Sequence, residues 1–247
     1  MPLQAQQIVA LATQDARVPG MVAQAGQLLN MILSDLCQTY DFETTRKTYQ
    51  FTFNPGQVAY AVTGDLPQGY QDFPTDYLRG IAKECFYVIS GVPYPMIPVD
   101  QNEFDALVSQ SGLSNYPVFF FVDTSVVPPR AFFWMIPSGA YPALVRYYSQ
   151  MPDIATPETS TTIPWFPNQT YLRRRLAGEL MALSDDTRMD QFLSDNEEQH
   201  PSGAGVMLRK YLMMKGDKEN RSQTVSLDRR RFGSSFDRLR NTKALGW

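Results

Sequence analysis

The chain has 247 residues, 43% hydrophobic and 19% charged, enough apolar side chain to fill a sizeable core, which excludes a disordered or low-complexity protein. The formal net charge of −3 conceals a division. Residues 226–247 hold six basic and two acidic side chains, a charge of +4, so the remaining 16 basic and 23 acidic residues leave −7 on residues 1–225, a poor surface for gripping nucleic acid.

In chain order, "QQIVALATQ" (6–14) predicts a short helix, stopped by the breaker "VPG" at 18–20. The first twenty residues lack a basic n-region and a long apolar core, and no uncharged apolar run of about 18 residues follows, so neither a secretory leader nor a membrane span is expected. In "MVAQAGQLLNMILSDLCQTYD" (21–41), Val22, Ala25, Leu29, Ile32, Leu36 and Tyr40 recur at three- and four-residue steps, one apolar stripe of a helix. From residue 47 the period drops to two, with Tyr49, Phe51 and Phe53 on one face. The turn "NPGQ" (54–57) and the alternation Val58, Tyr60, Val62 then predict a β-hairpin.

After a loop with Pro67, Gly69 and Pro74, "DYLRGIAKECFYVISGVPYPMIPVD" (76–100) reads as one or two strands divided by "SGVPYP". Asp100 caps a short helix in "DQNEFDALVSQSG", with Glu103 as the return partner of a capping box. Residues 113–149 hold ten aromatics and only three charged residues, so "VFFFV", "AFFWMI" and "ALVRYY" are strands with both faces largely covered. "MPDIATPETSTTIPWFPNQ" (151–169), with four prolines, is a long ordered connector. Helical spacing returns in "QTYLRRRLAGELMALSDD", where Leu172, Leu176, Leu180 and Leu183 share a face, and two more helices are expected in "DTRMDQFLSDNEEQ" and "GVMLRKYLMMKG". The order predicts an α+β protein: terminal helices forming a helical bundle, an inserted antiparallel β-sandwich or barrel-like domain, and an extended C-terminal tail. The expected divisions are 1–46, 47–151, 152–216 and 217–247.

Catalytic chemistry finds little support. Cys37 and Cys85 lack metal-type spacing and read as buried reduced thiols. His200, the only histidine, lies in a polar loop with no nucleophile beside it. Glu84, Glu103, Asp105 and Asp123 are the carboxylates available to a glycosidase-type pair, and no spacing sets them apart from surface acids. No phosphate loop or metal-ligand cluster occurs, and no cofactor is expected. Arg173, Arg174 and Arg175 fan over the outer face of a leucine-faced helix, either as a solvated face or as a basic channel or interface face.

The tail differs in kind. If 230–240 is helical, Phe232, Phe236 and Leu239 fall on one stripe beside Arg231, Arg238 and Arg240, with Arg229 and Arg230 ahead of them and Leu245 and Trp247 beyond. So short a helix is marginal in water without a partner surface. A protein groove, an anionic membrane, nucleic acid, or the chain's own body are the surfaces open to it.

Several stretches also resemble a known family. The helix "LLNMILSDLCQTYDFETTR", the aromatic hairpin after it, "DFPTDYLRGIAKECFY" with its likeness to an "LP-x-D-F-L-R" strand entry, "IPVDQNEFDALV", and late helices with a basic ending are similar to the head-to-tail adaptors of short-tailed bacteriophages, the tail tubular protein A type. Phe73 and Tyr77 stand where that pattern has Leu and Phe, and residues 116–148 are unusually aromatic for it. The resemblance implies a non-enzymatic virion protein made in the host cytoplasm and placed at the head–tail junction. It implies a homo-oligomeric ring, usually of twelve copies, between the portal protein and the tail nozzle protein. DNA would pass through its channel without sequence-specific binding, and no membrane is involved. It also implies that the C-terminal segment inserts between portal subunits, giving the apolar tail its groove. The competing readings are a tail-associated cell-wall hydrolase and a nucleic-acid-binding module acting through the basic tail.

Overall fold

The computed structural model describes residues 2–53, 70–81, 83–108, 114–215 and 218–219. In chain order these form α1 Ala5–Ala16, α2 Val22–Thr39, β1 Tyr40–Asp41, β2 Arg46–Thr52, β3 Gln71–Asp72, β4 Tyr77–Gly80, β5 Cys85–Ile89 and β6 Val92–Pro98. Then follow α3 Gln101–Val108, β7 Ser114–Asn115, β8 Phe119–Asp123, β9 Arg130–Trp134, β10 Ile136–Pro137 and β11 Pro142–Ser149. The last are α4 Gln169–Leu183, α5 Met189–Leu193, α6 Ala204–Lys215 and β12 Lys218–Glu219. The protein is thus mixed α+β. It divides into a unit drawn from Met1–Thr48, Asp76–Arg79 and Arg146–Asn220, and another from Tyr49–Thr75 and Gly80–Val145.

In the first unit, the helical stripes meet. Ala5, Ile8, Val9 and Ala12 of α1, Ala25 and Leu29 of α2, and Leu172, Leu176 and Leu180 of α4 are all fully buried in one core. Helix α4 is the hub, packing against α1, α2, α5 and α6. Leu183, expected on the same stripe, is 60% exposed at the end of α4. Gly178 is needed where α5 crosses, because a Cβ there would run into the Leu193 side chain. Asn168 starts α4 by accepting the Tyr171 N–H at 3.1 Å.

The proline-rich connector is ordered by pairing rather than by regular structure. Its Thr162 and Ser160 carbonyls accept the N–H groups of Ala5 and Gln6 at 2.9 and 3.1 Å, donors that the first turn of α1 would otherwise leave unpaired. Asn30 of α2 holds the other end, donating to the Ile154 carbonyl at 3.0 Å and accepting the Ile154 N–H at 3.1 Å. Phe166 then enters the core edge-on to Phe42 at 5.2 Å and to Tyr211 at 5.1 Å.

Eight strands form one sheet in the order β2-β11-β5-β6-β8-β9-β3, with β4 also paired to β11, while in the second unit β7 and β10 pair parallel as a separate two-stranded ladder. The sheet curls into a half-barrel. It is not purely antiparallel, since β6 and β8 run parallel with Ile97 opposite Phe119, because α3 carries the chain back between them. Inside lie Phe53, Phe73, Phe120 and Phe133, the rings of Phe53 and Phe133 meeting edge-on at 4.8 Å. The predicted break at "SGVPYP" is only a turn at Ser90 and Gly91, after which Pro93 and Pro95 sit within β6. Ile97 and Val99 donate their N–H groups toward β8, to Val118 and Phe120. Pro93 and Pro95 share that parity beyond the last β6–β8 pair, so two positions without an N–H blunt this edge.

The Asp100 cap is as expected, its carboxylate accepting the Glu103 N–H at 2.8 Å. Both cysteines are buried free thiols. The turn and return strand expected at 54–62 lie outside the described residues. Leu176→Ala should lower stability by about 2–5 kcal/mol, the range for emptying a fully buried leucine site, read from the urea midpoint.

Candidate interaction surfaces

Arg79, near the end of β4, is bonded at all three of its guanidinium nitrogens. Its Nε and Nη2 converge on Asp41 Oδ1 at 3.0 and 2.6 Å. Nη2 also donates to the Tyr40 carbonyl at 3.0 Å, and Nη1 to the Cys37 and Gln38 carbonyls at 3.2 and 3.4 Å. The guanidinium lies 5.1 Å from the Tyr148 ring centre. These carbonyls end α2, where unpaired oxygens and the negative end of the helix dipole favour a cation. Beside them, β1 pairs antiparallel with β12, Tyr40 opposite Glu219 and Asp41 opposite Lys218. Residues 220–247, the basic ending, follow β12 directly.

The three arginines of α4 are engaged within the same unit. Arg173 grips Asp15 of α1 through Nε and Nη2, both at 2.7 Å, and that hydrogen bonding raises its pKa further. Arg174 lies 4.0 Å over the Phe192 ring, and Arg175 pairs with Glu179 at 2.7 Å. All three are half-buried rather than fanned into solvent. Asp15, which sequence reasoning did not connect with them, is the residue that turns Arg173 toward α1.

Two of the four carboxylates weighed for acid–base chemistry have local duties. Glu103 serves the α3 cap, its pKa raised by burial and by Asp100. Asp123 accepts the Ser125 N–H at 2.8 Å in its own turn. Asp105 is exposed on α3, and Glu84 precedes β5. His200 holds its loop through the backbone, donating its N–H to the Asn196 carbonyl and accepting the Gly203 N–H. Among the described residues no three His, Cys, Asp or Glu side chains are grouped as metal ligands, and no helix is long and apolar enough to cross a membrane.

A feature missed in the sequence is a closed ring of four tyrosines in the second unit. Tyr87 stacks on Tyr94 at 5.6 Å, Tyr94 on Tyr116 at 6.2 Å with planes 8° apart, and Tyr141 closes the circuit at 6.0 Å to Tyr116 and 5.9 Å to Tyr87. Burial first, then the three neighbouring phenols, push the Tyr87 pKa up to about 12. Tyr94 and Tyr116 remain 40% and 44% exposed, with Val92 beside them in β6 at 52%. An uncharged aromatic surface of this kind is typical of protein interfaces. The alternation in "GVPYP" is the local signal for Tyr94, but Tyr87 comes from β5 and Tyr116 and Tyr141 from segments just after β7 and just before β11.

Residues 3–227 match the SU10 adaptor protein family. The chain belongs to that family. It is therefore a phage adaptor protein, a structural component of the virion, from a family whose members interact with portal and tail proteins. No curated protein matches the chain. Of the adaptor's expected docking residues, Arg229, Arg230, Arg231, Phe232, Phe236, Arg238, Leu239, Arg240, Leu245 and Trp247 lie outside the described residues.

Two tyrosines should report the folded adaptor's state at high pH. Tyr171, like Tyr87, is pushed up to about 12, chiefly by burial. The folded form keeps the proton that the unfolded form loses near pH 10, so the tyrosines' contribution to stability is constant below that point and falls as pH rises toward 12. Tyr171→Phe should remove one late-titrating phenol from an ultraviolet titration and lessen that fall, by up to roughly 3 kcal/mol.

Proposed function

We propose that this adaptor is a non-enzymatic ring subunit of a short-tailed phage, seated beneath the portal and extending its DNA channel toward the tail nozzle. The family match over residues 3–227 carries this reading, because it spans both units and reaches the start of the tail. In this account the helices of both chain ends form a bundle that makes the subunit contacts of a twelve-copy ring. The exposed tyrosines Tyr94 and Tyr116 suit the β-rich insert to contact with the nozzle protein.

The tail 226–247 docks on the portal. Phe232, Phe236, Leu239, Leu245 and Trp247 supply the apolar anchors, while Arg229, Arg230, Arg231, Arg238 and Arg240 select an acidic groove through charge pairing. The charge of −7 on the rest of the chain suits a channel through which DNA slides without being gripped. Arg173, Arg174 and Arg175 already have partners within their own unit, so they belong to subunit stability in this account rather than to the channel wall.

Ending the chain after residue 225 should leave a folded, soluble protein that no longer attaches to portal particles. Co-sedimentation of wild-type and truncated protein with such particles checks this, and attachment of the truncated protein at wild-type levels would contradict tail docking.

A further inference from the structure

We propose that Arg79 is a positioning residue for the docking tail, holding the tail's root in place through β1 and β12. The inference rests on the tail-docking reading and adds what sets the point from which the tail departs. Strand β1 is only two residues long, and a pairing of that length is marginal by itself. Its backbone is nevertheless fixed at several points. The Tyr40 N–H donates to the Leu36 carbonyl at the end of α2, the Tyr40 carbonyl accepts from Arg79, and the Asp41 carboxylate accepts two Arg79 N–H groups. These are charge-assisted bonds between side chains that are 22% (Arg79) and 15% (Asp41) exposed, so water competes with them only in part.

The immobilised β1 is the template on which β12 pairs, and β12 leads into residues 220–247. A docking segment with a fixed origin searches a smaller volume than one with a loose base, so its effective concentration at the groove is higher. Lysine cannot replace Arg79 here, because one ammonium cannot reach a carboxylate and three carbonyls while stacking on Tyr148. An arginine that merely capped α2 would leave β12 indifferent to its loss, whereas a root clamp would not.

The test compares full-length wild type, Arg79→Lys and Asp41→Asn by amide hydrogen exchange and by attachment to portal particles. The expected result is exchange faster by about tenfold or more, in both variants, at the one β12 amide whose N–H bonds to β1, with the core amides of α4 unchanged. Attachment should weaken by about tenfold. Unchanged exchange at β12 would overturn the clamp. Faster exchange with wild-type attachment would overturn the claim that the root's position matters for docking. The truncation after residue 225 separates the two ideas, since it should abolish attachment yet leave β12 protected. If attachment survived that truncation, the tail-docking reading would fail and take the functional half of this proposal with it, while exchange alone would still decide the clamp.

Discussion

Neither end of this chain can bury its own apolar stripe. Helices α1 and α4, of 12 and 15 residues, are of a length that is marginal alone in water, and they become stable by covering each other and α2. The rest of the first unit is arranged to make that meeting specific. Asp15 and Arg173 tie α1 to α4, the connector's carbonyls take up the first N–H groups of α1, and Asn30 ties the connector to α2. Because segments from both halves of the chain serve one core, the β-rich stretch that separates them in sequence need not contribute to it.

Polar side chains do much of the fixing in this unit, and they do it by satisfying backbone groups that regular structure leaves open. Arg79 closes the end of α2, Asn168 opens α4, and Asn30 stands in for a strand partner along Ile154. In the second unit the corresponding work falls to aromatic rings, packed edge-on inside the curled sheet and stacked at the surface as the tyrosine ring.

What the sequence showed and what it hid divide along contact range. The stripe of α2, the leucines of α4, the strands around Phe120, Phe133 and Val145, and the Asp100 cap are all set by residues a few positions apart, so periodicity and spacing reveal them. Arg79, in contrast, looked like one charge in a strand entry, since its partners at 37–41 lie on another element. The partner of Arg173 was hidden because Asp15 lies far from it in sequence. The parallel pairing of β6 with β8 depends on how α3 returns the chain, and the four tyrosines come from four separate stretches of sequence. With one histidine and two cysteines, the sequence offers no spaced pattern for nucleophilic or metal chemistry.

An adaptor of this design should be an ordered subunit whose charged, apolar tail finds its place only against the portal. Cryo-EM of portal particles carrying the full-length protein addresses that most directly. The account predicts a closed adaptor ring with density for residues 226–247 lodged between portal subunits, Trp247 and the Phe232–Phe236 stripe packed on apolar portal surface. A ring in which those residues instead fold back on their own subunit, with no portal contact, would contradict it.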